Sequence, residues 1–134
     1  MRRHVGRLLL AAEAALLLVG AGLAIRLLGP ARTTKLLGRP APPEASGERV
    51  PPTPGARRIG RAVERVARVL PWHPVCLPQA LATRAMLRRR GIACESHLGM
   101  IESDPISAHA WVTVGGMVVQ GGPVSHVTEL AHFR

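Results

Sequence analysis

Six prolines fall between residues 38 and 55: Pro40, Pro42, Pro43, Pro51, Pro52 and Pro54, with Ser46 and Gly47 among them. Proline lacks an amide hydrogen and fixes φ, so neither a helix nor an inner strand runs through such a stretch. An extended linker is the expectation. It divides the 134 residues into an apolar helical segment over 1–37, a linker over 38–56 and one domain over 57–134. Only Trp72, Trp111 and Phe133 are aromatic, so Leu, Val, Ala and Ile must supply the core. That is a modest core for this length, one that a partner protein could help to cover.

The formal charge is +10, carried largely by arginine. A basic surface attracts acidic peptides and anionic lipid headgroups. Nucleic acid is not expected, because the chain lacks aromatic platforms for single strands and any recognisable DNA-binding pattern. Two cysteines, Cys76 and Cys94, do not make a disulfide framework. Free thiols in a reducing cytoplasm are the expectation.

Residues 8–28 are a long apolar run interrupted by Glu13 and Arg26 and preceded by Arg2, Arg3 and Arg7. Three readings compete. A secretory signal has this basic start, but here an acid falls inside the apolar middle. For a spanning helix, nine strongly apolar residues lie between Leu8 and Ile25. They contribute roughly −4.5 kcal/mol against a penalty of about +2.5 to +3.5 for one buried acid, a marginal balance. The third reading is a helix, or helical hairpin, packed on the domain of residues 57–134 or on a partner of it.

Residues 57–70 carry Ile59, Val63, Val66 and Val69 or Leu70 at helical spacing, with arginines and Glu64 on the other side. That face reads as solvated. Pro71 ends the helix. A second helix opens at Cys76-Leu77-Pro78, where proline suits the first turn. Arg88, Arg89 and Arg90 crowd its far end, complementing the helix dipole, and Gly91 is the residue expected just beyond it. Residues 92–100 alternate as a strand, with Cys94 a small core residue. Residues 107–114 alternate as well: Ala108, Ala110, Val112 and Val114 share one face, His109, Trp111 and Thr113 the other. Gly115-Gly116 is a tight hairpin turn into a return strand over 117–120. The tail to Arg134 is expected to be irregular or helical. The fold class is α+β, with helices first and a small antiparallel sheet after them.

The chemistry gathers at two residues. A thiol at a helix start loses its proton more easily, so Cys76 is the candidate nucleophile. His109, on a later strand, is the candidate base. Taken singly, Cys76 reads as a structural thiol and His109 as a core histidine. His73, three residues before Cys76, reads as a loop residue without a catalytic duty. A metal site from Cys94, His97 and His109 or Cys76 is disfavoured, since Cys94 and His97 point to opposite faces of one strand. No metal and no cofactor are expected.

Pro71-Trp72, Cys76-Leu77, Leu87 to Ile92 and Ala108-His109-Ala110-Trp111-Val112 together resemble the transglutaminase-like leader peptidases of lasso-peptide biosynthesis. The likeness runs from Ile59 to about Gly122 and includes the apolar N-terminal segment. It implies a transglutaminase-like or papain-like fold and a cysteine peptidase that removes the leader from a ribosomally made precursor. It places Trp72 and Trp111 beside the substrate. It also favours the packed helix over membrane contact, and membrane contact over a cleaved signal, for residues 8–28. Because no separate leader-binding winged helix is visible in the chain, the resemblance implies a winged-helix leader-recognition protein acting in trans. An ATP-dependent lasso cyclase would follow.

One departure stands out. The family carries an aspartate about a dozen positions after the histidine, whereas this chain reads Val119-Gln120-Gly121-Gly122-Pro123. Gln120, through its side-chain oxygen, or a backbone carbonyl is left to orient His109. The other nearby acids, Glu102, Asp104 and Glu129, are not at the family's position. The competing reading is a weak or inactive homologue that serves as a scaffold for the maturation complex.

Overall fold

The computed structural model describes residues 2–41, 52–101 and 107–134. Helix α1 spans Arg2–Leu28, a short α2 spans Pro30–Thr33 and leads into a 3-10 turn at Thr34–Leu37, and strand β1 is Pro40–Ala41. Helices α3 (Pro54–Val69) and α4 (Cys76–Arg89) follow. Then come β2 (Glu95–Ile101), β3 (Ser107–Val114), β4 (Met117–Gln120) and β5 (Val127–Phe133). The strands form one antiparallel sheet in the order β1-β5-β2-β3-β4. The architecture is α+β, helices first, consistent with a transglutaminase-like fold.

The helices take their ends from local chemistry. Thr53 caps α3 by accepting the Ala56 amide at 3.3 Å, and Pro54 occupies the first turn, so the helix begins inside the stretch read as linker. Beyond α4, the Gly91 amide bonds the Arg88 carbonyl and the Ile92 amide bonds that of Leu87. This is the Schellman closure expected of a glycine at that position. Gly115 and Gly116 both take positive φ, as a two-residue hairpin between β3 and β4 requires.

The core lies between the helices and one face of the sheet. Ile59, Val63 and Ala67 of α3 and Ala80, Met86 and Leu87 of α4 are buried with Ala110 and Val112 of β3. Cys94 joins them, and burial pushes its thiol pKa up. Gly60 marks where α3 comes closest to the sheet: a Cβ there would stand 1.8 Å from the Val119 carbonyl oxygen of β4. Any larger residue would force the helix off the strand.

Helix α1 lies against α3 and α4. Ala14, Leu18 and Ala21 are buried on its inner side, while Leu9, Leu16, Leu23 and Leu27 are exposed on the outer side. The acid that interrupts its apolar run is paired: Glu13 bonds Arg89 at 2.7 Å and Arg90 at 2.6 Å. The helix is long and apolar enough to cross a membrane by length and composition.

The sequence reading needs correcting at the C-terminus. Residues 127–133, expected to be irregular or helical, form β5, which pairs with β1 on one side and β2 on the other. The segment has mixed strand propensity, and its state is set by the free edge of β2 rather than by its own residues. Gly99 admits it, since a Cβ there would meet the Thr128 carbonyl oxygen at 2.5 Å. Strand β2 starts at Glu95, leaving Ile92 and Cys94 before it. Within the proposed linker, Pro40–Ala41 is a strand and Pro54 is helical, while residues 42–51 lie outside the described part.

Candidate active site

Cys76 is the first residue of α4. Its backbone amide therefore belongs to the group that no helical carbonyl satisfies, at the positive end of the dipole. The helix start is tied down by Gln79, whose side-chain amide donates to the Pro74 carbonyl at 2.8 Å. The half-buried Cys76 thiol faces β3 and makes a long contact to the Ala108 carbonyl, 3.8 Å away. The thiol thus approaches the residue that precedes His109, and among the described residues no hydrogen bond joins thiol and ring.

His109 is held from the other side. Its Nε2 lies 2.5 Å from the Gly121 carbonyl oxygen. A carbonyl can only accept, so Nε2 carries the proton. Nδ1 is then a free lone pair, with no hydrogen-bond partner among the described residues. This is the tautomer a general base requires.

Of the two groups that could orient the histidine, the carbonyl makes the bond and Gln120 does not. The Gln120 side chain is buried, and its amide nitrogen donates to Gln79 Oε1 at 3.3 Å while its Oε1 has no partner. Gln120 enters the core beside α4 and leaves the next backbone carbonyl for His109. Gly121 takes φ +90, and a Cβ there would stand 2.8 Å from Trp111 Cβ. Glycine is needed both for that φ and for that approach.

The Gly121 amide is also held, by Glu64 Oε1 of α3 at 3.0 Å. Glu64 was read as part of a solvated face. Its signal in the sequence is that it is the one acid among the arginines of residues 54–69. The same segment of chain that orients His109 is thereby clamped to a helix.

Trp72 is exposed at the turn before α4, where a substrate can reach it. Trp111 is buried, with one neighbour His97 at 5.2 Å and the other His109 at 5.9 Å, both rings nearly parallel to it. It supports the histidine rather than offering a face to substrate, because the adjacent rings cover it. The stack continues to His132, 4.7 Å from His97. His97 bonds Glu129 and Thr113, and His132 bonds Glu95. Glu129 therefore serves His97 and not His109. Glu102 and Asp104 lie outside the described residues.

Glu95, His97 and His132 bring three potential ligand atoms within 4.8 Å of one another. The two rings are only 8° from parallel, so their lone pairs cannot converge on one ion. Tetrahedral ligation needs convergence at about 2 Å. The cluster fits paired imidazole and carboxylate groups better than a metal.

A family model described as the transglutaminase-like superfamily matches residues 15–133. No curated protein matches the chain. No solved structure matches it. The chain belongs to the transglutaminase-like superfamily, which includes cysteine peptidases.

Proposed function

We propose that this protein is a cysteine peptidase that removes the leader from a lasso-peptide precursor in the cytoplasm. The observation that carries the reading is the bond from His109 Nε2 to the Gly121 carbonyl, which leaves Nδ1 as a base on the strand beside Cys76. The family's aspartate has no counterpart at this position, and the carbonyl takes over its orienting role without its charge.

In the first step Nδ1 takes the thiol proton and the thiolate sulfur attacks the scissile carbonyl carbon. The oxygen that becomes negative is met by the free amides at the start of α4, that of Cys76 included. The tetrahedral species collapses, the C–N bond breaks, and the imidazolium returns its proton to the leaving amine. A thioester remains on Cys76. Water, deprotonated by Nδ1, attacks it and releases the leader's carboxylate and the free thiol. The freed amine is the group that a separate ATP-dependent lasso cyclase would use. A winged-helix leader-recognition protein would present the precursor.

The scaffold reading has one observation in its favour. The thiol rests against Ala108 instead of His109, and no acid touches the ring among the described residues. Mass spectrometry of the precursor, incubated with this protein and the recognition protein, separates the two. Cleavage that is lost in Cys76→Ala, with the fold retained by circular dichroism, supports the peptidase. Unchanged cleavage by that variant refutes it, and no cleavage by the unaltered protein favours the scaffold.

A further inference from the structure

Helices α1 and α3 leave between them an open groove of about 620 Å³. Its floor is apolar, with Leu10 of α1 and Val66 of α3. Its walls carry Arg7 from α1 and Arg58, Arg61 and Arg65 from α3. The last three recur at i, i+3 and i+7, so they line one side of the helix over roughly 10 Å.

None of these four arginines has an ion-pair partner among the described residues. The four acids among the described residues are engaged elsewhere. Glu13 pairs with Arg89 and Arg90, Glu64 holds the Gly121 amide, Glu95 bonds His132 and Glu129 bonds His97. Four like charges around one concavity repel each other, and an anionic occupant removes that repulsion.

We infer that the groove between α1 and α3 docks an acidic, amphipathic helical segment of a partner polypeptide. The apolar floor takes the segment's leucine-like ridge, and the arginines take carboxylates one turn apart on either side of it. A small anion would leave most of the groove and its floor uncovered. A bilayer meets convex or flat surfaces, whereas these arginines line the walls of a concave one. The binding does not involve Cys76, so it stands apart from the peptidase reading.

The test uses the full chain and a fluorescein-labelled synthetic peptide with Leu at i, i+3, i+4 and i+7 flanked by Glu. Its counterpart carries Gln for every Glu. Fluorescence anisotropy should show binding of the Glu peptide and at least about tenfold weaker binding of the Gln peptide. Arg61→Glu with Arg65→Glu should weaken the Glu peptide by at least about tenfold. Arg32→Glu with Arg68→Glu, which changes the net charge equally but lies outside the groove lining, should leave binding within about twofold. Circular dichroism checks the folding of each variant, and Arg→Gln replaces Arg→Glu if a variant unfolds. Equal loss in the two double variants would reduce the effect to net charge and overturn the inference. So would equal binding of the Gln peptide, or binding only to vesicles of phosphatidylglycerol and phosphatidylcholine.

Discussion

Replacing Gly121 by alanine should disturb both the fold and the hold on the His109 ring. The residue sits at φ +90, where an L side chain costs roughly 1–2 kcal/mol. The added Cβ would stand 2.8 Å from Trp111 Cβ and 3.0 Å from the Ala110 carbonyl oxygen. Trp111 is buried within a ring stack and Ala110 belongs to the sheet, so neither yields readily; overpacking adds about 1–3 kcal/mol. The combined loss is about 2–5 kcal/mol, a fall in melting temperature of about 6–25 °C. Gly91→Ala separates the two contributions, because Gly91 also has positive φ but nothing lies within 4 Å of its Cβ position. That variant should lose only the conformational part. The shift of the Gly121 carbonyl should also free the His109 ring. Alkylation of Cys76 by iodoacetamide at neutral pH should then slow, while the Gly91 variant keeps the wild-type rate. A Gly121→Ala protein that melts with the Gly91 variant and keeps the same alkylation rate would refute the reasoning. The sequence alone suggests that aspartate at Gly121 would restore the family's triad, but the same clash with Trp111 predicts that it destabilises instead.

Glu64→Ala should cost about 1–2 kcal/mol by leaving the Gly121 amide without its acceptor, read by urea denaturation, and should lower the Cys76 alkylation rate. Unchanged stability and reactivity would mean that the clamp from α3 is idle. The Glu13 carboxyl is held below the usual carboxylate range, first by its hydrogen bond to Arg90 and then by the charges of Arg90 and Arg89, with desolvation opposing. A depressed folded-state pKa gives stability that is present above the unfolded value of about 4.3 and is lost as pH falls through the folded value. The wild type should therefore lose its advantage over Glu13→Gln in that acid window. Because both arginines are partly exposed, the difference at neutral pH should be only about 1 kcal/mol, and a pH-independent difference in melting temperature would refute the pairing.

How much of this was legible in the sequence depends on how local the cause is. The start of α4 at Cys76, its closure at Gly91 and the hairpin at Gly115-Gly116 follow from residues adjacent to the feature. The facing of His109 and Trp111 follows from simple alternation. Strand β5 was not legible, because its order depends on the unpaired edge of β2 and on the space left by Gly99, more than twenty residues earlier in the chain. The orienting group for His109 was half legible. A side chain can be named from a sequence, but a carbonyl has no letter. Gly121 announces itself only as the residue that permits the backbone to approach Trp111. Glu64 was misread for a related reason, since helical periodicity assigns a face but not the loop that comes to meet it.

The three ties on the site come from three parts of the chain, and each fixes a different component of it. Gln79 bonds Pro74 on one side and receives Gln120 on the other, so the loop that delivers Cys76 and the end of β4 are connected through one amide. Glu64 of α3 fixes Gly121, the residue just beyond β4, and Gly60, one turn earlier on the helix, sets how near α3 can come. His109 then hangs between Gly121 on one side and the Trp111 ring on the other. Loss of an aspartate in such a frame removes a charge but not the geometry. In the proposed peptidase a cysteine nucleophile needs the histidine's position more than a charge that stabilises its cation, so it would tolerate a carbonyl in this place better than a serine would.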